Sequence, residues 1–250
     1  MMQYFNNLLK TPKTQIGGFL TLILITAFLN NPSQKSLIVF LLSLLSTVIS
    51  DLLFMKLRGI RVFFPSAAVV SACIIGLLTS PNHPWYVPIA IGIIAMLSKN
   101  FVRLSNRHIF NPAGFGLIIG SIIFNQNISW WGVSWQQFRI HNLEFIIYFL
   151  ILLSPAFVSM VKMKRYRITL SFFLVYILLS KTLNSVLDPT TLFFTTVMLP
   201  EPMTSPNNHK RQILFGSLVA LLCFLPTNVN FVDPFIIALL IGNLVFFKFR

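Results

Sequence analysis

Carboxylates are nearly missing from this chain: Asp51, Glu144, Asp188, Glu201 and Asp233 are all it has in 250 residues. Charged residues of both signs make up 10%, too few to solvate the surface of a water-soluble protein of this size. Cysteine is scarcer still. Cys73 and Cys223 each sit inside an apolar run with no CxxC or His-rich tract nearby, and buried structural thiols are the expectation. The four histidines, His83, His108, His141 and His209, have no partner at ligand spacing. GxSxG, Walker and dinucleotide-binding fingerprints are missing too, so nothing supports hydrolytic or zinc chemistry.

What fills the chain is apolar. Hydrophobic residues make up 56%, and the mean hydropathy is +0.80, the signature of an all-α, polytopic membrane protein. Apolar segments fall near 16–29, 37–54, 62–79, 86–98, 109–124, 143–160, 168–180, 191–200, 212–225 and 234–247. Several are shorter than the roughly 20 residues of a full span, so the expectation is ten transmembrane or half-membrane helices. The N-terminus, MMQYFNNLLKTPKTQ, is polar, and the first apolar run lacks a small-residue cleavage site; it reads as a retained span.

The net charge of +14 falls in short clusters between apolar runs, as topogenic charge does, and nucleic-acid binding is not expected. With ten spans, all of the 19 Lys and Arg except Lys35, Arg139 and Lys181 lie on one side. By the positive-inside rule that side is the cytoplasm. The chain is therefore expected in the cytoplasmic membrane with both termini inside.

The two halves echo each other. Thr79, Ser80, Pro81 and Asn82 align with Thr204, Ser205, Pro206 and Asn207 at an offset of 125, and IFNPAGFGLIIG (109–120) aligns with FVDPFIIALLIG (231–242) at 122. The domains expected are 1–125 and 126–250, two five-span repeats forming one membrane domain. An odd number of spans per repeat makes the second copy inverted, an architecture in which broken helices from both halves build the site.

The polar residues follow from that frame. Glu201 lies between Pro200 and Pro202, where the chain must leave helical geometry, and a charge there is costly unless paired, hydrated or cation-bound. Asp188 and Asp233 precede proline and read as helix caps; Asp188 is also carried with Glu201 as an ion-binding candidate. Asp51 reads as a snorkelling or ion-paired residue, or a functional one. Thr79, Ser80, Thr204 and Ser205 satisfy backbone freed by the prolines, or meet a ligand. In NPAGFG, Asn111 caps, Pro112 starts the helix, and Gly114 with Gly116 admits another backbone or a flat ring. His108, ahead of that turn, is the one histidine placed for function, an interfacial role being the simpler reading. Trp130, Trp131 and Trp135 read as an outer interfacial belt.

The run TLFFTTVMLPEPMTSPNNHKRQILFGSLVALL with DPFIIALLIGNL, and HIFNPAGFG before it, resembles the NQR2/RnfD family: the D subunit of Rnf ion-translocating oxidoreductases and the B subunit of the sodium-pumping NADH:quinone reductase. The likeness covers most of residues 105–125 and 190–245. It implies a flavin-carrying membrane subunit whose complex couples electron flow to Na+ or H+ translocation, with Asn111, Pro112, Gly114, Gly116, Thr79, Ser80, Thr204 and Ser205 as the cofactor-binding candidates. Members with covalent flavin carry D-x-x-[ST]-G-A-T, and this chain has no such motif; FMN or riboflavin would be held noncovalently. The implied partners are other membrane subunits of an electron-transport complex, or a flavin reductase. The family fold is similar to that of urea transporters, which supplies the alternative: a channel or transporter for a small polar solute with no redox role.

Overall fold

The computed structural model describes residues 11–104, 107–134, 143–225 and 232–249, without the side chains of 143–145. Trp135, Arg139 and His141 lie outside the described residues. Each of the ten apolar segments coincides with a helix. In the first half these are α1 (Pro12–Asn30), α2 (Gln34–Leu57), α3 (Ser66–Leu78), α4 (Tyr86–Phe101) and α5 (Pro112–Phe124). In the second come α6 (Leu143–Ala156), α7 (Tyr166–Ser180), a single turn α8 (Asn184–Leu187), α9 (Pro189–Phe193), α10 (His209–Leu222) and α11 (Pro234–Phe246). The strands among the described residues form one antiparallel pair, β1 (Arg103–Leu104) and β2 (Arg107–His108), with Arg103 opposite His108.

Local chemistry sets the helix starts. Thr11, Asn111, Asp188 and Asp233 each precede a proline at the first helical position, and each side chain accepts from the backbone N–H two or three residues on. That pairing satisfies donors a helix start leaves free. The capping roles expected of Asn111, Asp188 and Asp233 are what the geometry shows.

Burial is inside out. Along α2 the buried face carries Ser36, Ser43, Thr47, Ser50 and Asp51, while Leu41, Leu45, Ile49 and Leu53 are exposed at four-residue intervals. A water-soluble helix does the reverse; polar groups turned into the bundle and leucines turned out mark a lipid-facing element. Among the described residues α1 and α2 are long and apolar enough to span on their own, and the other apolar helices have 10–17 residues.

Some helix contacts recur in the two halves. α2 packs on α3 and α4, and α4 on α5; α7 packs on α10, and α10 on α11. α5 and α11 meet across the halves, as do α1 and α6. Several of these contacts need glycine. A methyl at Gly92 would strike Ser46 and Thr47 of α2, and one at Gly216 would strike the Ile168 carbonyl and Ser171 of α7.

Two helices continue as π-helix: α6 through Phe157–Lys162, after Pro155, and α9 through Phe194–Met198. Nothing in the sequence periodicity signals these wide turns. They are tied together, because Ser159 Oγ donates to the Thr196 carbonyl at 2.7 Å. Thr169 Oγ1 takes the adjacent Thr195 carbonyl at 3.0 Å.

Candidate functional site

The site assembles at the start of α5. Asn111 Oδ1 accepts from Gly114 N at 3.0 Å, and Asn111 N donates to Asn243 Oδ1 of α11 at 2.8 Å. Asn243 Nδ2 in turn donates to the Thr204 carbonyl at 3.1 Å. One buried amide therefore links the NPAGFG helix start of the first half to the TSPN turn of the second.

That second turn is folded around Glu201. The Thr204 hydroxyl donates to Glu201 Oε2 at 3.0 Å and the Ser205 hydroxyl to the Glu201 carbonyl at 2.7 Å. The same carbonyl accepts from Thr204 N and Ser205 N. Arg165, buried, donates to the Pro206 carbonyl and to Asn207 Oδ1, clamping the far side of the turn. Glu201 Oε1 faces His108 Nε2 at 3.4 Å. β2 and the bond from Ile109 N to the Val102 carbonyl at 3.1 Å hold that histidine in place.

A cavity of about 60 Å³ opens between these groups. Glu201, His108, Asn111 and Pro112 line it, with Lys13 of α1, Ser71 of α3, Lys99 of α4 and Ser159 of the π-turn. The rest of the wall is apolar, from Ile16, Val70, Ile74, Met163 and Val197. Behind Lys99 lies Asp51, fully buried, which accepts from Lys99 Nζ at 2.6 Å. Its ion-paired reading holds.

Lys13 and Lys99, from separate segments, line the cavity beside Glu201 and His108, and Arg165 clamps the loop that carries Glu201. A helix N-terminus adds partial positive charge at α5. The arrangement can hold a carboxylate in its ionised form and can hand that carboxylate from His108 to a small cation.

The sequence-derived candidates divide between the two ends of α5. Asn111, Pro112, Thr204, Ser205 and Glu201 come together. Thr79 and Ser80 do not: Thr79 bridges to Ile128 and lines a separate cavity of about 10 Å³ with Ser121 and Gln126, near the end of α5. Ser80 Oγ accepts from Asn82 N at 3.2 Å. Asp188 is exposed, caps α9 through Thr190 N and Thr191 N, and does not line the Glu201 cavity.

Gly114 packs on Ile236 and Leu240, and Gly116 on the Ile91 carbonyl and Ala95. Their missing side chains bring helices together and do not leave a slot for a flat ring. The tryptophan belt also needs correction. Trp130 is buried and donates Nε1–H to Asp233 Oδ2 at 2.6 Å, and Trp131 donates to the Gly76 carbonyl at 2.9 Å. Indole N–H groups turned inward need acceptors, and here two are at hand.

Sequence reasoning passed over Lys99, Asn243, Ser159 and Arg165. A lone Asn in the apolar run PFIIALLIGNLVF is itself a signal, because a buried amide at membrane depth must find partners.

A search of curated proteins finds no match. The NQR2, RnfD, RnfE family matches residues 9–143. The matched stretch takes in HIFNPAGFG, the first TSPN turn and the Asp51–Lys99 pair, and stops before the Glu201 turn. With just over half of its residues matched, the chain belongs to the NQR2, RnfD, RnfE family, a membrane subunit of Rnf- and Nqr-type complexes.

Proposed function

We propose that this chain carries a cation, Na+ or H+, for a redox-driven complex of the Rnf/Nqr type, and that the Glu201 cavity is a station on the cation's route. The observation behind this reading is a carboxylate in a proline-broken loop, 24% exposed into a small cavity and partnered by a histidine. Such a pair exchanges without breaking the fold. When a cation reaches Glu201, Oε1 leaves His108 Nε2 for it. Thr204 keeps its hydrogen bond to the carboxylate throughout and orients it.

Cavity size favours an ion over a flavin. A water needs about 10–15 Å³ of such space, so about 60 Å³ admits an ion with a few waters. Cofactor pockets run from roughly 300 Å³ upward. Of the flavin candidates near the cavity, Thr204 and Ser205 spend their hydroxyls on Glu201 and Asn111 Oδ1 accepts from Gly114 N, and the glycines are closed by neighbouring helices. The residues present do not fit a ring. The flavin of the complex then belongs with partner subunits or at this chain's contact with them.

Two inverted repeats account for the matching helix contacts of the two halves and for the paired turns at opposite ends of α5. In that arrangement the cavity faces the cytoplasm, as do both termini. The solute-channel alternative gains no support: the two cavities are separate, and α4 and α5 pack closely between them at Gly116 and Gly120.

A hydrophobic carbodiimide, which attacks protonated carboxyls, tests the station. Mass spectrometry of the chain treated at acidic pH, where the carboxyl takes up a proton, is expected to find Glu201 modified. Added Na+ at constant ionic strength slows the reaction at a Na+ station, and rising pH slows it at a proton station. A Glu201 that does not react, or whose reaction ignores both cations, contradicts the proposal.

A further inference from the structure

Asp51 lies on α2 with no exposed surface, and its carboxylate has two donors: Lys99 Nζ at 2.6 Å and Asn100 Nδ2 at 2.9 Å. These donors differ in freedom. Asn100 is buried and anchored, its Nδ2 also reaching the Met96 carbonyl at 3.1 Å and its Oδ1 accepting from Arg58 Nη1 at 3.4 Å. Lys99 runs along the wall of the Glu201 cavity and keeps 12% of its side chain exposed.

A lysine ammonium is a compact charge on a flexible four-carbon stem. It can leave Asp51 for the cavity while the backbone and Asn100 stay where they are. What remains is a buried carboxylate with one neutral donor, a state that persists only if another cation arrives. The ammonium, meanwhile, enters a cavity that Glu201 also lines.

We propose that Asp51 is a second cation station behind the Glu201 cavity and that Lys99 is its resident competitor. A Na+-sized cation coming through the cavity takes Asp51 as Lys99 swings out. The exchange is one positive charge for another, with no covalent bond made or broken and no proton transferred. This rests on the cation reading of the cavity and extends it by a site that the chain keeps filled with its own side chain. The built-in competitor makes occupancy of Asp51 conditional, so a cation cannot settle there while Lys99 is in place.

The purified full-length chain tests this by its melting midpoint in NaCl against choline chloride at fixed ionic strength. Lys99→Gln removes the competitor. Its midpoint is expected to fall in choline and to rise by about 3 °C or more between roughly 1 and 100 mM Na+, a larger gain than wild type shows. Asp51→Asn added to Lys99→Gln abolishes the gain, and Glu201→Gln added to Lys99→Gln leaves it. A gain that survives Asp51→Asn overturns the second station, and one lost instead with Glu201→Gln assigns the effect to the cavity alone, leaving the cavity reading intact. Absence of any Na+ effect, in wild type as in the variants, overturns the second station and leaves only a proton as the cation of the Glu201 cavity. Should Lys99→Gln fail to fold, Lys99→Arg serves: a guanidinium holds a carboxylate more firmly, so its Na+ gain falls below that of wild type, and an equal gain overturns the proposal.

Discussion

Removing the Asp51 carboxylate leaves the Lys99 ammonium at the cavity wall without its counter-ion and the buried Asn100 amide without that acceptor. Breaking a buried pair by deleting one partner costs about 3–5 kcal/mol, so Asp51→Ala is expected to lower the melting midpoint by several degrees. Asp51→Leu combined with Lys99→Leu, which removes both charges, is expected to recover most of that loss in a thermal melt; a double variant as unstable as the single would mean that the pair's charges do not matter to the fold. The sequence made one partner of this pair visible, an acid in an apolar segment, and hid the other. Lys99 reads as one more topogenic cation until the fold lays α4 against α2. Glu201 was legible for a local reason, its prolines, whereas its contact with His108 joins residues far apart in the chain and could not be read from spacing.

At the scale of elements, hydrophobic runs located the helices of the bundle other than the single turn α8, and capping residues ahead of prolines set the starts of α1, α5, α9 and α11. The π-turns were not legible, since their cause is tertiary: Ser159 meeting the Thr196 carbonyl. Likewise, Gly114 and Gly116 looked like room for a ligand and proved to be room for other helices. The same close approach gives a sharp expectation at Gly216, where α10 crosses α7. Gly216→Ala puts a methyl against the Ile168 carbonyl and should cost about 1–3 kcal/mol by overpacking. Gly18, with nothing within 4 Å of an added Cβ, is the control: Gly18→Ala is expected to leave the midpoint unchanged or slightly raised. Equal effects at the two positions in a thermal melt would mean that α7 and α10 are not this close.

For the molecule as a whole, the two ends differ in filling. Ala67, on the wall of the Glu201 cavity, and Ala68 correspond at the offset of 125 to Leu192 and Phe193. Where the first half is small, the second packs rings: Trp130 on Phe193 and Phe235, Phe235 on Phe194, and Phe194 on Phe172, with centroids 5.1–6.3 Å apart. In the proposed inverted arrangement, one filled end leaves a site open to one side, the side where the cations gather. Reporter fusions at the two termini are expected to score as cytoplasmic, and an external C-terminus would contradict the ten-span inverted arrangement.

The most direct measurement is the number of cations moved per electron by everted membrane vesicles holding the whole complex, with wild-type chain and with Glu201→Gln. The variant is expected to insert and to pass electrons while reductant-driven accumulation of Na+ or H+ falls about tenfold or more. A wild-type ratio of cations to electrons in Glu201→Gln would contradict the cation station and return Glu201 to the role of a loop-forming residue.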